Sequence, residues 1–430
     1  PKMPGLLAGR GGDGARARGL LRRLYRFEGP LGAARGWCLP QRRGAKQLVG
    51  RLAVKKLADH VEELALMQEN VDLSLAPFER ERAAGAAVAC TSVGERRDAH
   101  EISQDVHEQL TAILCIVREL NGDCEVRDRE VRASGAGEED VELLEQLIAA
   151  DVPVQLLAQL DVLEFEARKD VMNMCSALLR PGMPQQIDKQ VVGYLRDHPS
   201  VFQVLVDGCA NEETALLHGV VLRSCARHAE LTEAFLTSGL VFELVRCARH
   251  PSIDISSDAF YTLREMLLAH KEVSSEWLEQ HFDAFFEPYN ALLISGEYIA
   301  ARQAQKLLIE ILMDKHFRKV MVAYVSSEKH LQIHMNLLKD RSRVIQFEAY
   351  HIFKVFVANP AKPARVQNIL YRNKEKLVAL LESLKLARPE DAKLHDELQN
   401  VVDKLSRLSM SSPVQQRQRR ADGAAHALRL

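Results

Sequence analysis

The chain has 430 residues, of which 47% are hydrophobic, 27% are charged and only 6% are aromatic, and its formal net charge is −2. This share of apolar residues can build a sizeable core, so the composition excludes a chain that is disordered throughout. No apolar run approaches the ~18 residues that a membrane-spanning helix needs, and we expect no membrane partner. Eight thinly spread cysteines favour reduced thiols over a disulfide framework, which predicts a cytoplasmic protein.

The first fifty residues differ in charge from the rest. They hold eleven Lys or Arg against two acidic residues, a net charge of +9, which leaves −11 for the other 380 residues. An acidic body lacks the concentrated basic face that nucleic acids require, so we expect no nucleic-acid partner. Residues 1–46, rich in Gly, Ala and Arg, are predicted to be a disordered extension. A targeting segment is the alternative, because such segments are also Arg-rich and poor in acidic residues.

From residue 47 onward, apolar residues recur every three to four positions, which places them on one face of a helix. Helices are predicted over 48–67 and 100–120. A long connection over 72–98 separates these two helices, and a charged loop with glycines follows over 121–140. No stretch alternates apolar and polar residues with period two, so we expect no sheet.

Five further helices, each expected to be the second helix of a helical unit, recur at a nearly constant spacing. Equivalent points in them lie 47, 42, 44 and 45 residues apart, at Leu178, Cys225, Leu267, Ile311 and Phe356. A unit of about 40–47 residues with two or three helices is the period of HEAT and armadillo solenoids, in which stacked units share one core. The predicted fold class is therefore all-α, a right-handed armadillo/HEAT-like helical-repeat solenoid. The five helices are expected over 169–180, 218–228, 259–270, 304–316 and 347–360.

Polar residues and prolines predict where these helices begin and end. The strings Ser256-Ser257-Asp258 and Asp340-Arg341-Ser342 offer side-chain oxygens to the free amides of a first helical turn. Pro199, Pro251 and Pro360 follow expected helix ends, because proline cannot continue the helical hydrogen bonds.

The chain thus divides into three predicted parts. The disordered extension covers 1–46, the helical-repeat domain covers 47–408 and a disordered tail covers 409–430. The domain is expected to close with an amphipathic helix over 389–408, whose single apolar stripe suits a terminal cap.

The sequence contains none of the common phosphate-binding, dinucleotide-binding, serine-hydrolase or zinc-protease motifs. We therefore expect no enzyme activity, no catalytic residue and no cofactor. Glu310 and Asp314 lie four residues apart on one helix, and we expect them to face Lys306 and water.

One pattern is compatible with a metal site. The string Cys-Ala-Arg-His occurs at Cys225–His228 and again at Cys247–His250, and in each the Cys and the His share a helix face. Two such pairs can form a tetrahedral zinc site. The favoured alternative is structural, because a small thiol packs well and a cation suits a helix C-terminus. No EF-hand spacing occurs, so we predict neither zinc nor calcium.

Seven strings in order carry a resemblance: LDVLEFEARKDV, LRSCARH, SIDISSDAF, WLEQHFDAFFEPYNALL, EYIAARQAQKLL, MNLLKDRS and IQFEAYHIFKVFVANP. Over roughly residues 47–408 the chain resembles the calcium-binding protein 39 family. The resemblance implies a scaffold that grips a pseudokinase adaptor, binds Sterile-twenty-type (germinal-centre) serine/threonine kinases and stabilises their active state in cell-polarity signalling. We expect it to be a monomer. The alternative is a generic armadillo adaptor for peptides or cargo, without kinase activation.

The resemblance also implies two partner-binding surfaces. One is a concave face that holds a kinase lobe, and the other is a pocket for a Trp-Glu-Phe tail of the adaptor. Methionine suits such a pocket because it adapts to an aromatic side chain, and cations suit a glutamate and a terminal carboxylate. The family's positions fall on Arg302, Lys306, Met335, Lys339 and Arg372, with Lys376 one turn further, and on Ile253, where the family has an aromatic residue.

Two departures affect a third contact of the family, with the activation loop of a master kinase. Lys315 stands where the family has an arginine, so two-pronged pairing to a carboxylate is lost. Phe317-Arg318 stands where the family has a polar residue and then a phenylalanine. We therefore expect the tail pocket to be better preserved than the activation-loop contact.

Overall fold

The computed structural model describes residues 53–61, 64, 99–121, 136–295 and 297–410. Within these ranges all regular structure is helical and no strand occurs. The predicted all-α, helical-repeat class is confirmed. The extension predicted over 1–46, the connection predicted over 72–98 and almost all of the predicted tail lie outside the described residues, and the limits of the repeat domain stay a prediction.

After a helical segment over 53–61, nineteen α-helices follow in the described part of the chain. They are α1 (Ala99–Leu120), α2 (Ala136–Ala149), α3 (Val152–Ala158), α4 (Phe165–Leu178), α5 (Gln185–Asp197), α6 (Ser200–Gly208), α7 (Ala215–Cys225), α8 (Ala229–Thr237), α9 (Val241–Cys247), α10 (Ile253–Leu268), α11 (Lys271–Gln280), α12 (Phe282–Leu293), α13 (Tyr298–Met313), α14 (Arg318–Val325), α15 (Glu328–Leu337), α16 (Arg343–Ala358), α17 (Ala364–Arg372), α18 (Lys374–Leu386) and α19 (Ala392–Ser406). A 3-10 turn over Lys315–Phe317 joins α13 to α14.

The chain forms two compact units, with the boundary between Val201 and Phe202. In the first unit α1 packs along α4, and α2 packs on α3 and α5. The hydroxyl of Ser103 on α1 accepts the amide hydrogen of Glu164 at 3.0 Å, directly before α4 begins. Such a bond satisfies an amide that the helix itself leaves unpaired, and it fixes where α4 starts relative to α1.

The second unit is built from a three-helix repeat. Within each repeat the second helix packs on the third, as α9 does on α10, α12 on α13, α15 on α16 and α18 on α19. Equivalent helices of successive repeats stack in rows: the first helices α8, α11 and α14, the second helices α9, α12 and α15, and the third helices α7, α10, α13, α16 and α19. The sequence predicts a unit of two or three helices, and the structure shows three. The expectation that the recurring helices are second helices is wrong, because the helices that contain Cys225, Leu267, Ile311 and Phe356 are third helices.

The third helices keep a constant register. The helices α10, α13 and α16 begin at Ile253, Tyr298 and Arg343, 45 residues apart. A buried hydrogen bond links a second helix to a third, because the hydroxyl of Tyr289 on α12 donates to the carbonyl of Ala304 on α13 at 2.7 Å. Fully buried aromatic residues fill the space between the rows, and each removes about 150–250 Å² from water.

Helix ends are correctly predicted at several places. Pro199, Pro251 and Pro360 follow the ends of α5, α9 and α16, and Ser342 directly precedes α16, although its side chain makes no capping hydrogen bond. The closing helix is α19, whose buried residues are Leu394, Leu398, Val401, Val402 and Leu405. This apolar stripe packs on α16, the helix before it in the row of third helices.

Two boundary predictions are wrong. The string Ser256-Ser257-Asp258 lies inside α10, which begins after Ser252. Ser256 is tolerated there because its buried hydroxyl donates to the carbonyl of Ala248 at 2.8 Å. The loop predicted over 121–140 is too long, since α2 begins at Ala136. A glycine in a helix costs only about 1 kcal/mol, which the buried leucines of α2 offset.

Candidate functional site

The exposed sides of α10 and α13 lie next to each other and are joined by two polar contacts, with a third just beyond the ends of both helices. The amide nitrogen of Gln303 donates to the hydroxyl of Ser257 at 3.1 Å. Further along, Arg264 pairs with Glu310 at 2.8 Å, and Lys271 pairs with Asp314 at 2.6 Å. We call this surface the α10–α13 face, and it extends from the first residues of both helices to the beginning of α11.

Three residues predicted to bind a partner lie on the α10–α13 face. Ile253, the first residue of α10, is 61% exposed. Arg302 on α13 is half-buried, and its Nε atom is buried without a hydrogen-bond partner among the described residues. Lys306 is exposed one turn later. The structure therefore brings these three residues onto neighbouring helices.

The other predicted residues lie on helices further along the chain. Met335 on α15 is only 8% exposed, whereas Lys339, two residues after that helix ends, is exposed. Arg372 ends α17 and Lys376 lies in the first turn of α18, and both are exposed. Since α15 packs on α17, and α15 and α13 both pack on α16, the helices that carry the predicted pocket form one connected set.

A buried polar cluster holds the helix that carries Met335. The hydroxyl of Tyr324 on α14 donates to Asn290 Oδ1 at 3.2 Å, and it lies 3.0 Å from Nε2 of His334 on α15. The ring of His330 stacks on Tyr324 with 4.0 Å between centroids. Burial lowers the pKa of both histidines, for His334 to about 3, so both are neutral near pH 7.

The expected partners of Glu310 and Asp314 are wrong. Glu310 contacts Arg264 rather than Lys306, and Asp314 contacts Lys271 and accepts the amide hydrogen of His316 at 2.9 Å. The bond with Glu310 raises the pKa of Arg264, and the bond with Lys271 lowers the pKa of Asp314. Spacing along one helix reveals only neighbours on that helix, whereas Arg264 lies on the third helix of the preceding repeat and Lys271 on the first helix of the same repeat.

Between these two ion pairs lies a cleft of about 460 Å³. Leu268 and Met313 contribute its apolar lining, and the charged side chains form its rim. Met313 is 48% exposed, which is unusual for a large apolar side chain. We call this cavity the α10–α13 cleft.

Several exposed apolar residues of the α10–α13 face escaped the sequence analysis. Tyr261 and Tyr298 are 53% and 46% exposed, and Ile299 is 37% exposed. The guanidinium of Arg223 lies 4.7 Å from the ring centroid of Tyr261 and so supports it from the neighbouring α7. The available signal was an apolar residue on the polar side of an amphipathic helix, such as Tyr261, which lies eight residues after Ile253.

The doubled Cys-Ala-Arg-His string has structural partners. Cys225 is fully buried, and burial raises its pKa to about 12. His250 Nδ1 accepts the amide hydrogen of Ser252 at 3.1 Å. Among the described residues, no three His, Cys, Asp or Glu side chains are grouped to hold a metal ion, and no helix is long and apolar enough to cross a membrane.

These features define an all-α helical-repeat protein whose third helices expose a face of mixed apolar and charged residues. The model of the Mo25-like family matches residues 79–409, so the chain belongs to the Mo25-like family.

Similar proteins span much of the chain. The Mo25-like protein of Schizosaccharomyces pombe is 41% identical over 263 residues, which cover 61% of this chain and 79% of the relative. The calcium-binding protein 39-like protein of Mus musculus is 34% identical over 313 residues, 72% of this chain and 89% of the relative. A designed armadillo repeat protein in complex with the peptide (KR)4 aligns with 70% of this chain and 99% of its own at 13% identity and a TM-score of 0.36.

Proposed function

We propose that this protein is a non-catalytic, monomeric scaffold of the cytoplasm that binds a pseudokinase adaptor, Sterile-twenty-type kinases or both. In this proposal it stabilises the active conformation of the bound kinase and so acts in cell-polarity signalling. Membership of the Mo25-like family supports a scaffold role. The observation that carries the proposal is Arg302, whose buried Nε has no hydrogen-bond partner among the described residues although it lies on an exposed, partly apolar face. An unpartnered buried donor favours a ligand with an acceptor.

The proposed tail pocket combines an apolar wall with cations. Met335 offers an adaptable surface for an aromatic side chain, and its low exposure suits a pocket wall better than a rim. Arg302 and Lys306 point one pair of charges from α13, while Arg372 and Lys376 supply another pair from α17 and α18. A peptide that ends in Trp-Glu-Phe brings a glutamate and a terminal carboxylate to these charges.

Activation follows from differential affinity. A scaffold that binds the active kinase conformation more tightly than the inactive one shifts the equilibrium toward the active one. A difference of ~2–3 kcal/mol raises the ratio of active to inactive kinase by roughly 30- to 150-fold. Ile253 and the other exposed residues of the α10–α13 face are the proposed contacts for the kinase lobe.

Peptide binding tests the pocket directly. We expect Met335→Ala to weaken binding of a peptide ending in Trp-Glu-Phe at least tenfold, a loss of about 1.4 kcal/mol. The substitution removes the contact between the methionine side chain and an aromatic side chain of the peptide. Isothermal titration calorimetry measures the affinity, and circular dichroism checks that helix content is unchanged. Met183 in the first unit is equally buried at 7% exposure, so Met183→Ala is the matched control and should bind normally. Equal affinity of the Met335→Ala variant and the unaltered protein would refute the pocket.

Kinase activation is a separate measurement. Adding the protein to a Sterile-twenty-type kinase should raise substrate turnover, while the protein alone should transfer no phosphate. Peptide binding without any rise in turnover would favour the generic adaptor over the kinase activator.

A further inference from the structure

We propose that the α10–α13 cleft is a second binding subsite, which takes one bulky apolar side chain flanked by a lysine or arginine of the partner. The inference deepens the proposed function, because it assumes that the partner bound at the tail pocket also crosses the α10–α13 face. The cleft contains none of the residues proposed for the tail pocket, and its shape and its charges suggest its ligand.

The apolar lining of the cleft is open. Met313 is 48% exposed at the end of α13, and Leu268 is half-buried opposite it at the end of α10. A cavity of about 460 Å³ accepts an aromatic or large aliphatic side chain. Methionine adapts its flexible thioether to such a guest, so the lining suits a protruding apolar residue.

Helix packing forms the cleft, and ion pairs connect its two sides. Arg264 and Glu310 link α10 to α13 on one side of Leu268, with distances of 2.9 and 3.2 Å from Nε to the two carboxylate oxygens. Lys271 and Asp314 link the walls on the other side at 2.6 Å. A cavity that is already formed spares its ligand the cost of ordering the walls.

The rim of the cleft carries a surplus of negative charge. The described residues that line it include three carboxylates, Glu265, Glu310 and Asp314, but only two cations, Arg264 and Lys271. Arg264 is shared, since it also contacts Glu265 at 2.9 Å. Two carboxylates on one guanidinium leave acceptor capacity for a further donor, which favours a lysine or arginine beside the apolar guest.

The charge along α13 changes sign at this point. Arg302, Lys306 and Glu310 follow one another at four-residue spacing, and Asp314 continues the series directly after the helix. The positive half belongs to the proposed tail pocket and the negative half to the cleft. A partner with an acidic end and a basic end therefore fits in one direction only, because the reversed direction brings like charges together.

Methyl NMR of the full chain with ¹³C-labelled methionine tests the cleft. The probes are the acetylated and amidated peptides Gly-Lys-Trp-Lys-Gly and Gly-Glu-Trp-Glu-Gly, whose indole ring shifts a nearby methyl signal. Met313→Leu and Met335→Leu assign the two signals. We expect the lysine peptide to shift the Met313 signal and the glutamate peptide to shift the Met335 signal.

Charge reversal sharpens the test. Glu310→Lys should weaken the lysine peptide at Met313 at least fivefold, and the milder Glu310→Gln should weaken it about twofold. Glu233→Lys, at an exposed position of α8, is the control and should change nothing. The proposal is overturned if the lysine peptide leaves Met313 unmoved, or if the glutamate peptide moves Met313 as strongly. The shift of the Met335 signal by a peptide with a free Trp-Glu-Phe end judges the tail pocket independently of that result.

Discussion

At the scale of single residues, His334 shows how its surroundings fix the charge of a side chain. Its Nε2 lies 3.0 Å from the hydroxyl of Tyr324, which itself donates to Asn290, so Nε2 carries the hydrogen of the neutral ring. Nδ1 is buried and has no hydrogen-bond partner among the described residues. Protonation places a hydrogen on Nδ1, where no acceptor lies within hydrogen-bond distance among the described residues. Burial of the charged ring accordingly lowers the pKa of His334 to about 3.

This cluster predicts that stability falls in acid. The unfolded chain binds a proton at His334 below pH 6.5, whereas the folded chain does so only near pH 3, so stability is lost as the pH falls between these values. The loss is about 2 kcal/mol at pH 5 for this group. We expect His334→Leu to remove that part of the loss, as measured by urea denaturation at pH 7 and pH 5.

His330 contributes in the same direction and stays in both proteins, since burial also lowers its pKa while Lys329 opposes and Asp283 favours its protonation. The comparison therefore isolates His334. An unchanged difference in stability between pH 7 and pH 5 in the His334→Leu variant would contradict the assignment.

At the scale of helices, the packing of α7 on α10 depends on a glycine. A Cβ atom at Gly219 on α7 would lie 1.9 Å from Oδ2 of Asp258 on α10. Asp258 cannot move freely, because it pairs with Arg223 at 2.9 Å and both side chains are mostly buried. The absent side chain thus allows this ion pair to sit between the helices.

We expect Gly219→Ala to destabilise the second unit by about 2 kcal/mol, because Asp258 must leave its place and weaken its bond with Arg223. The midpoint of urea denaturation measures the change. Gly193 on α5 provides the matched control, since a Cβ there meets nothing within 4 Å. Gly193→Ala should be neutral or stabilise by up to about 1 kcal/mol. Equal effects of the two substitutions would show that the close approach is unimportant.

The helices also show what the sequence alone could predict. The long third helices and the spacing of the repeats follow from apolar periodicity, because sixteen residues, as in α10, hold several turns of signal. The first and second helices are short, as in α8 with nine residues and α9 with seven. About two turns contain too few apolar positions for each helix to be recognised from its periodicity. The number of helices in each repeat therefore became clear only from the structure.

The same limit applies to the candidate site. The partner-binding role expected of Arg302 and Lys306 came from the matched strings. Their spacing of four residues places them on the same side of one helix. The partners of Glu310 and Asp314 were not, because Arg264 and Lys271 lie 46 and 43 residues earlier in the chain. Contacts between different helices depend on how those helices pack, and a single sequence does not contain that information directly.

At the scale of the whole molecule, the rows of the second unit predict which helices lose stability when a core residue is substituted. Phe356 on α16 is fully buried and lies 6.2 Å from the ring of Tyr324 and 6.0 Å from that of His334. Phe356→Ala should cost about 3–5 kcal/mol. In an array where each repeat contacts its neighbours, hydrogen exchange should then accelerate in α13, α15 and α19 before it does so in α8.

The converse substitution provides the control. Phe235 on α8 is equally buried and packs against Phe202 of α6, with 5.8 Å between the ring centroids. Phe235→Ala should accelerate exchange in α6, α8 and α11 and spare α16. A uniform loss of protection across the second unit in both variants would mean that the unit unfolds in one step.

The equal spacing of Ile253, Tyr298 and Arg343 bears on how such a chain lengthens over generations. A tandem gene duplication of 45 codons in this stretch adds one helix to every row. Each added helix then packs against an equivalent helix of the neighbouring repeat. A duplication that covers only part of a repeat adds an incomplete set of helices, so at least one row gains no new helix. Duplications of whole repeats would therefore extend the exposed face of the third helices in steps, each about as wide as one stacked helix.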